Sequence, residues 1–111
     1  MIQFAILWVL PMSTLTVLFV RIRSVTEHLH LPRETEFNRT RHVQAYLLEK
    51  LTISPLNINV HIAHHLFPAV PQYNLPALHN LLLKCPPYRD GGAIFDSYFL
   101  GGKRVYDDLL T

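Results

Sequence analysis

His61-Ile62-Ala63-His64-His65-Leu66-Phe67-Pro68 places three imidazole side chains within five consecutive residues. Residues i, i+3 and i+4 of an α-helix lie on one face, so a helix through this stretch directs His61, His64 and His65 to the same side. Imidazole is a common ligand of divalent transition metals in proteins. The stretch therefore predicts a short helix that presents one edge of a metal site, and further ligands must come from other parts of the chain.

The composition favours a small membrane protein over a soluble one. Of the 111 residues, 50% are hydrophobic and only 16% are charged, whereas a soluble domain has about 25% charged residues. The net charge of +2 and the lack of a dense basic stripe argue against nucleic acid as a partner. Cys85 is the only cysteine, which excludes an internal disulfide and a thiolate metal cage.

The first twenty residues, Met1 to Val20, contain no charged side chain and contribute most of this hydrophobicity. Twenty helical residues span about 30 Å, the thickness of the hydrocarbon core of a bilayer. We therefore predict a transmembrane helix over residues 1–20, with a kink at Pro11. The alternatives are a buried helix of a soluble protein and a signal peptide; the latter lacks its positive start and its cleavage site.

Basic residues follow the apolar run, and they predict its orientation. The positive-inside rule places everything after Val20 in the cytoplasm. We expect an all-α membrane protein, in which the transmembrane helix is followed by a cytoplasmic helical histidine-box cap (residues 21–84) and a C-terminal tail (residues 85–111). The basic residues concerned are Arg21, Arg23, Arg33, Arg39 and Arg41.

Helical spacing of apolar residues recurs in the cap. It predicts a helix over Val43 to Leu51 and a short amphipathic helix over Leu75 to Leu83, which Cys85-Pro86-Pro87 ends. Between them, Leu56 to Phe67 carries both the histidine cluster and apolar residues for packing. In the tail, the aromatic segment from Ala93 to Leu100 is equally compatible with a helix and with a strand.

The three clustered histidines favour metal binding, whereas the isolated histidines favour structural roles. Protonated neighbours repel and are costly to bury, and a metal resolves this conflict because it binds neutral imidazole. Zinc, iron and copper all accept such ligands, although the sequence has no H-E-x-x-H of a zinc peptidase. A histidine cluster at the cytoplasmic edge of a membrane helix faces lipid acyl chains, which have no ionisable or electrophilic group. Chemistry on such chains needs a strong oxidant, which favours iron with oxygen. For His42, at the start of a predicted helix, and His79, on a polar face, we expect structural roles.

Two segments, in this order, resemble the membrane fatty acid desaturases. The run His61–Pro68, followed by Val70-Pro71-Gln72-Tyr73-Asn74-Leu75-Pro76-Ala77-Leu78, is similar to the third histidine box, H-x-x-H-H, and to the sequence after it. Arg21-Ile22-Arg23-Ser24-Val25-Thr26-Glu27-His28 resembles the end of the last membrane helix in that family, and Asn38-Arg39-Thr40-Arg41 resembles the link that follows. The resemblance covers about Leu7 to Leu83.

The resemblance implies a di-iron enzyme that uses oxygen and external electrons to introduce a double bond into an acyl chain. It makes His61, His64 and His65 iron ligands from the third box and His28 an additional ligand, with no catalytic residue beyond the metal ligands. Glu27 and Asn59 are expected to position these ligands without binding the metal themselves. The implied partners are membrane lipid acyl chains and an electron donor such as ferredoxin or cytochrome b5.

The chain also departs from the family pattern. Ala63 stands where relatives usually carry Glu or Gln, and outside the run His61–His65 no segment matches the first two boxes, H-x(3,4)-H and H-x(2,3)-H-H. About half of the expected ligands are present, so the sequence is expected to be the C-terminal part of a desaturase and incomplete without the remainder. The alternatives are a related di-iron hydroxylase or carotenoid ketolase, a non-catalytic membrane-anchored protein that binds zinc, and a remnant without function.

Overall fold

The computed structural model describes residues 1–111, and its longest element is an N-terminal helix, α1, over Ile2–His28. This helix is long and apolar enough to cross a membrane. None of its most apolar window is buried inside the protein, whereas the core helix of a soluble protein is mostly covered by other elements. Helix α1 is therefore a candidate membrane-spanning helix, as the sequence predicts.

Helix α1 loses its regular hydrogen bonding around Pro11, where the sequence predicts a kink. Proline has no N–H to donate, and the turn just before Pro11, Ala5–Val9, is π-helical. The hydroxyls of Ser13 and Thr14 donate to the carbonyl of Leu10, over 3.1 and 2.6 Å. These side chains add hydrogen bonds in the segment where proline removes a backbone donor.

The remaining chain is mostly helical, with short elements joined by turns. The predicted helix from Leu75 is confirmed, and Pro86, predicted to end it, also begins a further helix at a position where proline is tolerated. The helices are α2 (Leu47–Thr52), α3 (His61–Leu66), α4 (Leu75–Leu82), α5 (Pro86–Gly91) and α6 (Val105–Leu110); the strands are β1 (Arg41–Val43) and β2 (Ala93–Phe95); 3-10 turns lie at Pro55–Asn57 and Gln72–Asn74.

The two strands correct the expectation of an all-α fold. Strands β1 and β2 pair in parallel, with Val43 opposite Phe95. The predicted helix over Val43 to Leu51 was therefore wrong in its first part: Val43 is in a strand, Ala45 has a left-handed backbone (φ 57°), and the helix begins only at Leu47. Pairing with a strand about fifty residues away outweighs the local helical spacing. The aromatic tail segment begins as this second strand.

The buried carboxylate of Glu49 joins α2 to the tail. One of its oxygens accepts hydrogen bonds from the backbone N–H groups of Tyr98 and Phe99, over 3.1 and 2.9 Å. The other accepts from the N–H of Tyr46 at the start of α2, over 2.9 Å. These bonds hold the tail over an apolar core that consists of Val43, Ala45, Phe95, Tyr98 and Val105.

Arg41 connects the end of α1 to both strands and to the last helix. Its side chain is fully buried. One terminal nitrogen donates to the carbonyl of Thr26 in α1 over 3.0 Å, and the other donates to the carboxylate of Asp108 in α6. The guanidinium also lies 5.5 Å from the centre of the Phe95 ring. A buried cation needs such partners, so Arg41 fixes where α1 meets the cap.

Replacing Arg41 by methionine is expected to lower the free energy of unfolding by about 2 to 3 kcal/mol, because two charge-assisted hydrogen bonds are lost. The expected loss is no larger because Asp108, the partner left behind, is 39% exposed and can be hydrated. The control is Arg104→Met, which breaks an exposed pair with Asp107 and should cost less than about 1 kcal/mol. Unfolding of the full chain in detergent micelles measures both, and equal losses would contradict the role given to Arg41.

Candidate metal centre

The histidine cluster forms where the last turn of α1 meets the short helix α3. Arg41 holds the end of α1 against β1, and Asn59 holds the start of α3 against the same strand. The amide of Asn59 donates to the carbonyl of Val43 over 2.7 Å, and the N–H of Val43 donates back to the carbonyl of Asn59 over 3.1 Å. Asn59 contacts the backbone of β1 and so positions the helix that carries the histidines.

Three imidazoles converge between these helices. One ring nitrogen from each of His28, His61 and His65 lies within 4.8 Å of the others. The closest pair is Nε2 of His61 and Nε2 of His65, which are 3.0 Å apart. His28 lies at the end of α1 and completes the group from the other side, with ring centroids 5.2 and 5.8 Å from those of His61 and His65. We call these three residues the histidine cluster.

His64 is not part of this cluster, because its ring nitrogens are not among those that lie within 4.8 Å of one another. Its ring centroid lies 5.9 Å from those of His61 and His65. Successive helical residues are rotated by about 100°, so His64 and His65 diverge although each lies within about 60° of His61. The predicted common face thus brings His61 and His65 together and directs His64 to one side.

The environment keeps the clustered imidazoles neutral. Burial, and then the neighbouring His65, His28, Arg23 and His64, lowers the pKa of His61 to about 3. Burial and the nearby His28 and His64 also lower the pKa of His65. Neutral imidazole is the form that binds a metal, so no proton has to be expelled at neutral pH.

Glu27 places a carboxylate beside the cluster. Its side chain is 2% exposed, and one oxygen lies 3.5 Å from Nε2 of His61. Nε of Arg23 donates to both oxygens, over 3.0 and 3.2 Å. The carboxylate therefore adjoins the His61 nitrogen that faces His65, while Nδ1 of His61 is buried without a hydrogen-bond partner.

The donor set fits a first-row transition metal. Two imidazole nitrogens bound at about 2.1 Å to one ion lie roughly 3.0 to 3.4 Å apart, which matches the 3.0 Å between His61 and His65. Imidazole suits iron, zinc and copper. His65 is exposed and His28 half-buried, so one side of the cluster is accessible to further ligands.

A second pair of histidines was missed by the sequence analysis. The rings of His42 in β1 and His79 in α4 stack with centroids 3.7 Å apart and an interplanar angle of 8°. Nδ1 of His79 is hydrogen-bonded to the hydroxyl of Tyr88 over 2.7 Å. Both histidines are buried, so the helix face of His79 that was expected to be polar is covered by the protein. The sequence signal that could have indicated the burial of His79 is its four-residue spacing from the apolar Leu75, because this spacing places both on one face of the helix.

The stability of the fold should fall as the pH drops below about 6.5, in part because of His42. Burial, His79 and Lys50 lower the pKa of His42 from 6.5 to about 3. Between these values the unfolded chain takes up a proton that the folded chain refuses, so the stabilisation is complete above pH 6.5 and decreases towards pH 3. One such histidine contributes up to about 1.4 kcal/mol per pH unit in this interval.

The variant His42→Phe keeps a stacked ring and removes the titrating group, so its free energy of unfolding should change less between pH 6.5 and 5 than that of the unmodified chain. His30→Phe, at an exposed position, serves as the control and should keep the full pH dependence. Denaturant titrations in micelles at several pH values measure the slope. An unchanged slope in His42→Phe would show that His42 is not a source of the pH dependence.

One comparison with known proteins identifies the family of this chain. The family model for fatty acid desaturases matches residues 1–96, which include α1, the histidine helix α3 and both strands. No curated protein and no solved structure matches the chain. The matched family consists of membrane-associated oxidoreductases of lipid metabolism that generally use a di-iron centre. The chain therefore belongs to the fatty acid desaturase family.

Proposed function

We propose that this chain is the C-terminal part of an iron- and oxygen-dependent membrane desaturase that introduces a double bond into an acyl chain. The observation that supports the proposal most directly is the convergence of His28, His61 and His65 at the end of an apolar helix, in a member of this family. Iron with oxygen supplies the oxidation of an unactivated C–H bond that an acyl chain requires.

The histidines divide between two metal positions in this proposal. His28, His61 and His65 hold one iron, because their nitrogens already lie within 4.8 Å of one another. His64 contributes to the second iron, because its ring diverges from the cluster. The remaining ligands come from the first two histidine boxes of the complete enzyme, which this sequence does not contain.

Ala63 has a packing role that accounts for its departure from the family pattern. Its side chain is fully buried and lies in a small apolar core with Val60 and Leu75. A glutamate here would have to displace apolar neighbours or be buried, at a cost of several kcal/mol unless it was paired. In this chain the carboxylate next to the ligands comes from Glu27 instead, through its contact with His61.

The proposed orientation puts the histidine cluster on the cytoplasmic face. Arg21 and Arg23 lie in the last part of α1, and further arginines follow within about twenty residues, a bias that the positive-inside rule assigns to the cytoplasm. A site at the end of α1 can then receive membrane acyl chains from one side and electrons from a donor such as ferredoxin or cytochrome b5 from the other.

A chimaeric enzyme tests this function. Residues 1–111 replace the corresponding segment of a desaturase of known activity that supplies the first two boxes, and the acyl chains of the host membrane are analysed by mass spectrometry. We expect unsaturated products, and a loss of at least about 100-fold when His61 is replaced by alanine, because an iron ligand is removed. His30→Ala, at an exposed position outside the cluster, is the matched control and should retain activity.

The products distinguish the alternatives. Hydroxylated chains in place of unsaturated ones would assign the segment to a related hydroxylase. A folded, iron-loaded chimaera that leaves acyl chains unchanged would contradict the proposal.

Glu27→Gln tests the support that the buried carboxylate gives to the ligands. The change keeps the shape of the side chain and removes its charge next to His61, so the affinity of the full chain for Co²⁺ should fall about 10- to 100-fold. The control is Glu36→Gln, which removes an exposed carboxylate paired with Arg39. Co²⁺ titration by absorption spectroscopy compares the two, and equal affinities would exclude a role for Glu27 in metal binding.

A further inference from the structure

A polar cavity of about 380 Å³ lies between β1, α2 and α4, apart from the histidine cluster. None of the cluster residues His28, His61 and His65 lines it. Its volume is within the roughly 300 to 1,000 Å³ that is usual for small-molecule sites. Most of the lining is polar, and the side chains that matter here are His42, Lys50, Asn57, Asn59, His79 and Asn80.

The cavity lining carries a positive charge and no negative charge. It includes the exposed residue Lys50 and no aspartate or glutamate. Lys50 forms no ion pair with any carboxylate of the chain. The pKa of His42 is lowered by burial first, and then by the charges of His79 and Lys50, which places the lysine close to the stacked histidines. An anion in the cavity would neutralise this uncompensated charge.

The stacked histidines supply hydrogen-bond donors. Tyr88 is 1% exposed and its hydroxyl has one partner, Nδ1 of His79. If the phenol gives its only proton to this bond, Nδ1 is the acceptor and His79 carries its own proton on Nε2. His42 is 2% exposed, and its Nδ1 is enclosed by the protein without a partner, so Nε2 is the nitrogen of this ring that can contact a ligand in the cavity. Asn80 and Gln44 add side-chain amides to the same lining.

A metal does not suit this cavity. The rings of His42 and His79 are parallel and 3.7 Å apart, so the lone pairs in the two ring planes run side by side and do not converge on one point. No carboxylate or third imidazole completes a ligand set there. An apolar ligand is disfavoured as well, since it would bury several donors without acceptors.

We propose that this cavity binds a phosphate group. Phosphate offers several acceptor oxygens to donors that approach from three separate elements, whereas a carboxylate offers only two. It also pairs with the free charge of Lys50 through charge-assisted hydrogen bonds. The phosphate belongs either to a free ion or to a lipid headgroup, which present the same chemistry.

The test uses the full chain, freed of metal by a chelator and labelled with ¹⁵N at histidine, in detergent micelles. Inorganic phosphate is titrated against chloride at matched ionic strength, and the ring signals of all histidines are followed by NMR. We expect the signals of His42 and His79 to move to saturation, while those of His28 and His61 stay in place. The absence of a saturable change at His42 and His79 would overturn the proposal.

Charge variants make the test specific. Lys50→Gln should weaken phosphate binding at least about tenfold, because a charge-assisted bond is removed. Asn80→Asp, at an exposed position of α4, places a carboxylate in the lining at nearly constant size and should abolish binding by repulsion. The control Lys103→Gln removes the same charge outside the cavity and should bind as the unmodified chain does.

Binding that is unaffected by Lys50→Gln and by Asn80→Asp would overturn the proposal. The hydrogen-bonded His79 ring signal reports whether each variant is folded.

Lipid nanodiscs distinguish the two sources of phosphate. If a headgroup binds, the His42 and His79 signals in discs of phosphatidylcholine with phosphatidic acid should already be shifted relative to discs of phosphatidylcholine alone. If a free ion binds, the two kinds of disc should give the same signals until inorganic phosphate is added.

Discussion

The buried guanidinium of Arg41 is the constraint on which the rest of the structure depends. A buried charge is costly unless it is paired and hydrogen-bonded, and here the two terminal nitrogens donate to the Thr26 carbonyl in α1 and the Asp108 carboxylate in α6, whereas Nε has no partner. Because Arg41 is also the first residue of β1, helix α1, the small sheet and the last helix are brought to one point. His28, two residues after Thr26, is thereby directed towards the helix that carries His61 and His65.

Two buried polar side chains, Asn59 and Glu27, then position the histidine cluster. The Asn59 amide holds the chain before α3 to β1, and the Glu27 carboxylate holds Arg23 and adjoins His61. Both are buried and polar, so their cost is offset by the hydrogen bonds that they make. The clustered imidazoles are thus held without a ligand in their neutral form, which is the form that a metal would bind. The stacked His42 and His79 are neutral for the same reason, burial.

Local sequence patterns predicted those parts of the structure that depend on local interactions. The apolar run of α1, its disturbance at Pro11, the helix from Leu75 and the cluster of His28 with His61 and His65 all follow from composition, spacing or motif. The parallel strands do not, because Val43 and Phe95 meet only through a pairing that spans about fifty residues, and isolated strands of three residues carry little signal. The same long-range contact explains why His42 was assigned to a helix start and why its stacking with His79 was missed.

The central claim is that His28, His61 and His65 share one metal ion, and X-ray absorption at the iron edge tests it most directly. Fe²⁺ is added anaerobically to the full chain in micelles, and the first coordination shell is compared with that of the His61→Ala variant. The account predicts scattering from imidazole rings in the unmodified chain and its loss in the variant. An iron surrounded by oxygen ligands alone, or an unchanged imidazole shell in the variant, would contradict it.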